Sequence, residues 1–252
     1  MSGLGRRLLA EFIGTGLLVA VVVGSGIMAA RLSPGQLGLE LAENTLATVA
    51  ALAVLIIVLG PVSGAHFNPV VSAADWALGR RSQAGPSGRD ALAYMAAQTA
   101  GAIGGAVLAN LMFALPAVSA STTTRSAPHL WIGELVATAG LVLVVFALAR
   151  SSRSVLAPAA VAGWIGAAYW ATSSTSFANP AVTIGRAFSN TFAGIAPGSV
   201  PGFVVAQVIG GGLGLVLVLV LYPAARSPAP ADLAPGVRQT AAAGVVPPPA
   251  GN

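Results

Sequence analysis

The chain has 252 residues, of which 56% are hydrophobic and only 8% charged. A soluble domain carries about 25% charged residues, so this composition excludes one and describes a chain with most of its length in a bilayer. The formal charge of +5 rests on Arg alone, placed at the ends of apolar runs and not in a stripe, which excludes nucleic acid; the absence of Cys excludes disulfides and thiol chemistry.

Arg6 and Arg7 close a short N-terminal segment, residues 1–7, ahead of an uncharged run from Phe12 to Ala30. That run is long enough to span, and too long for a cleaved signal peptide. A short loop with Arg31, Glu40 and Glu43 leads to a second span from about Thr45 to Val62. An apolar segment then runs from Asn68 to Leu78. At ~1.5 Å per residue it covers about half a bilayer, so it reads as a re-entrant half-helix. Arg80, Arg81 and Arg89 precede a third span, from about Ala91 to Leu115. A loop of small residues containing Arg125 separates it from a fourth span, Trp131 to Ala149, closed by Arg150 and Arg153. A fifth span runs from about Val155 to Ser173, a second half-helix from Asn179 to about Thr191, and a sixth span from about Phe203 to Tyr222. The Pro- and Ala-rich tail, 223–252, has little to bury and reads as disordered. Nine of the arginines fall on one side if both termini are cytoplasmic, against Arg31 and Arg125 on the other, which predicts that orientation.

The two half-helices start alike, at Asn68-Pro69-Val70 and Asn179-Pro180-Ala181. Asn is a favoured N-cap, and Pro suits the first helical position because its missing N–H would be unpaired there. Two further matches keep the same order: Glu11-Phe12-Ile13-Gly14-Thr15 with Glu134-Leu135-Val136-Ala137-Thr138, and Gln98 with Gln207. The chain therefore reads as a repeat, about 8–115 and 131–222, within a channel domain of residues 8–222. Three spans per half invert the second copy in the membrane. Inverted repeats bring paired broken helices together at the midplane. Gly101, Gly104 and Gly105 in the third span, and Gly210, Gly211, Gly212 and Gly214 in the sixth, predict close helix approach.

If each Asn oxygen caps its own helix, each NH2 is free to face a lumen. The segments ahead of the two Asn, Gly64-Ala65-His66 and Thr175-Ser176-Phe177, are expected to be extended, with carbonyls facing water because they cannot stay unpaired in lipid. Acceptors flanking central donors suit water and small neutral hydroxylated solutes.

These motifs resemble those of the major intrinsic protein family, the aquaporins and aquaglyceroporins. The resemblance covers about residues 6–223. It implies an all-α membrane fold of six transmembrane helices and two re-entrant half-helices, passive channel activity, a homotetramer with one pore per subunit, and no enzyme activity, cofactor or metal. The family's lumen donors map onto Asn68 and Asn179. Its loop-bracing glutamates map onto Glu11 and Glu134. His66 matches its loop histidine, for which a hydrogen-bonding role is expected. The four filter positions, counted from the motifs, fall on Thr48, Ala167, Ser176 and Val182, with Gly166 the neighbouring register for the second.

This sequence departs from the family at that filter. Val182 stands where water- and glycerol-conducting members keep an Arg, and Thr183 where glycerol-conducting members have an Asp. Four small, neutral residues predict a wide, uncharged filter. That implies polyols or neutral metalloid hydroxides such as arsenous acid, and weakened exclusion of cations. Arg186, one turn beyond Val182, reads as an interfacial or vestibular side chain, the alternative being one that reaches back into the pore. Tyr169 and Trp170 read as belt or packing residues. An ordinary water-selective channel is the alternative function. A coupled transporter needs intramembrane relays, and only Glu11, Glu134 and Arg186 are available. The expected location is the inner membrane of a cell, multi-pass.

Overall fold

A computed structural model of the protein describes residues 3–82 and 85–223. Expectations for residues 1–2 and for the tail beyond 223 lie outside the described residues. Within them the chain forms eight α-helices: α1 (Gly3–Leu32), α2 (Leu37–Ser63), α3 (Pro69–Ser82), α4 (Gly88–Met112), α5 (Pro128–Arg150), α6 (Ala157–Ala171), α7 (Pro180–Arg186) and α8 (Val200–Leu221). Six of them, α6 counted with its leading 3-10 turn and α8 with its own, are long and apolar enough to cross a membrane. α1 begins at Gly3, so Arg6 and Arg7 belong to the first helical turns and do not precede the helix.

Both half-helices depart from their expected lengths. α3 extends to Ser82, four residues past Leu78. α7 has only 7 residues and stops at Arg186, well short of Thr191. The physical reason for the early stop lies in the next carbonyls. Ala187 and Phe188 give theirs to the backbone N–H groups of Ser121 and Ser119 in the α4–α5 loop, and Ala196 N–H donates to Thr123. The chain leaves the helix to pair with that loop.

The two repeats pack by the same rule. α1 lies along α4, and α5 along α8. A Cβ on Gly101 or Gly105 of α4 would collide with the backbone carbonyls of Phe12 and Gly16 of α1. A Cβ on Gly210 or Gly214 of α8 would collide with those of Leu135 and Ala139 of α5. Glycine at these positions is what lets the backbones touch, the usual basis of close helix packing in lipid. Gly104 and Gly212 have no such neighbour, so their expected packing role is not seen. Each half-helix also packs on the last span of the other repeat, α7 on α4 and α3 on α8. Gly185 of α7 approaches the Ala102 carbonyl, and Gly211 of α8 receives the Val70 side chain. This exchange brings the N-termini of α3 and α7 together in the interior.

Candidate functional site

The segments that lead into α3 and α7 are not regular extended chain, as was expected. Ala65 and Phe67 in the first, and Thr175, Ser176 and Ala178 in the second, have φ between 49° and 61°. Non-glycine residues rarely adopt this region, at a cost of about 1–3 kcal/mol each. The compensation is a buried carboxylate under each segment. Glu11 is fully buried and accepts from His66 N–H at 3.0 Å, Phe67 N–H at 2.7 Å, Ser63 Oγ at 2.6 Å and Gln98 Nε2 at 2.8 Å. Glu134, also fully buried, accepts from Phe177 N–H and Ala178 N–H, both at 2.8 Å, and from Gln207 Nε2 at 2.6 Å. Alternating left-handed residues turn consecutive N–H groups toward one anion, the geometry of a backbone nest. The same turn leaves carbonyls on the other side. Those of Gly64, Ala65, His66, Ser176 and Phe177 accept no bond from the described protein.

The second match of the repeat closes the brace. Gln98 Nε2 also donates to Ser72 Oγ at 2.9 Å, and Gln207 Nε2 to Thr183 Oγ1 at 2.8 Å. Thr183 is fully buried and in turn donates to the Asn179 carbonyl, so it anchors α7 and does not face the lumen. His66 bonds Ser72 through Nδ1 at 3.1 Å and faces Asp75 Oδ2 from Nε2 at 3.5 Å.

The Asn side chains cap their helices. Asn68 Oδ1 accepts from Val70 N–H, and Asn179 Oδ1 from Ala181 N–H and Val182 N–H. Their NH2 groups were expected to be free to face the lumen, and are only partly so. Asn68 Nδ2 donates to the Ala178 carbonyl and Asn179 Nδ2 to the Phe67 carbonyl, each at 2.7 Å. These reciprocal bonds tie the two broken segments tip to tip. An amide has two N–H bonds, so one on each Asn remains without a partner among the described residues. Pro69, Val70, Pro180 and Ala181 set the helix starts and do not line the cavity.

That cavity has a volume of about 680 Å³. One wall is polar: Gly64, Ala65, His66, Phe67 and Asn68 from the first segment, and Ser176, Phe177, Ala178 and Asn179 from the second. Thr175 is not part of it. The rest of the lining is largely aliphatic, with Leu18, Val22, Leu52, Ile56, Leu141, Val145, Val161 and Ile165. Towards the start of α1 and the end of α8 it is bordered by Asp75, Ala149, Ser154 and Val155. At the other end stand Thr48, Tyr169, Ser176, Val182 and Arg186.

Three of the four expected filter positions therefore line one end of the cavity. The fourth does not. Ala167 is exposed on the outer face of α6. Ile165 and Tyr169, four residues apart, share the face that lines the cavity, and Ala167 between them points away. Gly166 faces Val49 of α2 and is also off the cavity. Tyr169 is 4% exposed, with its hydroxyl 3.5 Å from Thr48 Oγ1, so of its two readings, belt or packing, it is the packing one that fits. Trp170 is exposed, as a belt residue is.

Arg186 is not interfacial. It is 3% exposed, its Nε donates to the Ala193 carbonyl, and its guanidinium lies 3.4 Å from the Phe177 ring centroid. The end of the cavity that was expected to be uncharged is bordered by a cation. Arg125, expected as a plain loop residue, is half-buried against the same ring at 5.1 Å. Its N–H donates to Ser199 Oγ and its Nε to the Gly194 carbonyl. Loss of hydration lowers the pKa of this guanidinium from its ordinary value. Sequence spacing missed Tyr169 because the α6–α7 connection is shorter than the count assumed. It missed Arg125 because nothing local marks a loop that packs inward.

Residues 2–176 match the Major intrinsic protein family model. The chain is 49% identical over 237 residues to Aquaglyceroporin AqpS of Rhizobium meliloti (strain 1021), covering 94% of this chain and 95% of that one. It is 34% identical over 112 residues to Propanediol uptake facilitator PduF of Citrobacter freundii, covering 44% of this chain and 39% of that one. Its fold is similar to the X-ray structure of the aquaglyceroporin from Plasmodium falciparum, with a TM-score of 0.64 and 20% identity over 85% of this chain and 95% of that one.

Proposed function

The chain belongs to the major intrinsic protein family, and from that membership we propose a passive channel for water and small neutral polyols, with neutral metalloid hydroxides such as arsenous acid within its range. The observation that carries this reading is the cavity, with unpartnered N–H bonds of Asn68 and Asn179 midway along a wall of unpartnered carbonyls. A hydroxyl both donates and accepts, so a polyol meets both kinds of group along that wall while its carbon face rests on the aliphatic lining. Two relatives, an aquaglyceroporin and a propanediol uptake facilitator, are named for solutes of that kind.

The size range follows from Val182. A side chain without charge there leaves Thr48, Ser176 and Val182 as the small groups of the constriction, with Tyr169 and Arg186 completing it. Arsenous acid, uncharged and carrying three hydroxyls, has the donor and acceptor set of a short polyol. Both termini are proposed to be cytoplasmic, on the arginine distribution, in an inner membrane. A homotetramer is proposed on family grounds.

Val182→Arg tests the reading of size. Stopped-flow swelling of proteoliposomes is expected to show glycerol and arsenous acid slowed more than water. Equal loss of all solutes, or no change, would place the constriction elsewhere.

A further inference from the structure

The two guanidinia at the end of the cavity away from the start of α1 have no ion-pair partner; Glu134, the carboxylate whose field reaches both, is taken up by two backbone N–H groups and Gln207. Among the described residues the one side-chain ion pair is His66 with Asp75, and neither Arg125 nor Arg186 has a carboxylate within ion-pairing distance. Both lie against the Phe177 ring, so their positive charges add over one small region. A buried charge without a partner is costly, and proteins resolve that cost by pairing it.

The hydrogen-bond inventory points the same way. Arg186 uses Nε on Ala193, and its two terminal nitrogens find no acceptor among the described residues. Ser176, 2% exposed, borders the same cavity and its Oγ has no partner. The hydroxyls of Thr48 and Tyr169, 3.5 Å apart, border the same cavity. The Tyr169 hydroxyl donates to Thr48, so the donors here without a protein acceptor are the terminal N–H groups of Arg186 and the hydroxyl of Ser176. A guanidinium fork matches two oxygens of one planar group, and its bonds to an anion are about twice as strong as neutral ones.

We propose that this end of the cavity is a binding site for a small oxyanion, a monocarboxylate of formate size, held between the terminal nitrogens of Arg186 and the hydroxyl of Ser176. Arg125 is a positioning residue that fixes the Phe177 ring beneath Arg186 and adds to the field. The bound anion stands in the path of neutral solutes, so occupancy slows their flux. The site rests on the channel reading for that consequence, but not for binding itself.

The test uses the purified full-length chain in two formats. Radiolabelled formate is titrated onto protein in uncharged detergent, with chloride at equal ionic strength as competitor. Glycerol efflux is then followed in neutral-lipid proteoliposomes with formate or chloride on both sides. One formate per chain is expected, with a Kd of ~1 mM, at which glycerol efflux is halved. Arg186→Gln abolishes both effects, Arg186→Lys retains part of each, and Ser176→Ala weakens binding severalfold. Wild-type protein that binds no formate beyond chloride competition overturns the site, whatever the variants do. So does formate binding of equal strength in Arg186→Gln. Binding without any glycerol flux in chloride leaves the site standing and overturns the channel reading instead.

Discussion

Glu11 and Glu134 are each fully buried, and neither has an ion-pair partner among the described residues. What makes that tolerable is donor number: four for Glu11 and three for Glu134, two of them in each case the N–H groups of a strained segment. The carboxylates are therefore structural, and they explain why left-handed alanine, phenylalanine and serine persist at these positions. Replacing one by Gln keeps the shape but turns an acceptor into a donor that faces buried N–H groups. A buried donor left without a partner costs about 1–3 kcal/mol. Glu134→Gln is thus expected to lower the melting temperature in detergent and to reduce glycerol flux. Unchanged stability and flux would mean the brace is not what holds the segment.

At the scale of the helices, the contact between α1 and α4, and its repeat between α5 and α8, depends on backbone touching backbone at glycine. A larger side chain there must part the helices, at a typical cost of about 1–3 kcal/mol. Gly105→Leu or Gly214→Leu is expected to lower thermal stability clearly. Gly212→Leu, with open space around it, is expected to change little. Equal effects at Gly105 and Gly212 would contradict the packing account. These contacts were legible from the sequence because Gly101 and Gly105 recur in step with Gly210 and Gly214. The six spans, the half-helices and the Glu and Gln matches were legible for the same reason, since a repeat supplies two copies of each signal. Tyr169 was not. A two-residue change in where α6 ends moves a helix by more than half a turn, and no local residue marks it. Nor was the early stop of α7, which is set by the distant loop around Ser119–Thr123.

Taken whole, the molecule places most described arginines at the end where α1 starts and α8 stops, and buries Arg186 at the other end of the cavity. Arg186 sits one turn from the place left vacant by Val182, and it supplies the positive charge that the sequence at Val182 lacks. The expectation of weakened cation exclusion therefore changes. Wild-type protein is expected to be tight to protons in liposomes loaded with a pH-sensitive dye, and Arg186→Ala to leak. A leak in wild type that Arg186→Ala leaves unchanged would show that Arg186 does not guard the path. The central claim is passive movement of neutral solute past the paired Asn donors. Stopped-flow glycerol flux in proteoliposomes addresses it most directly. The rate is expected to rise linearly with the gradient, to ignore a protonophore, and to fall sharply in a folded Asn68→Ala, Asn179→Ala double variant. Flux that saturates and collapses with the proton gradient, or that survives the double substitution unchanged, would contradict it.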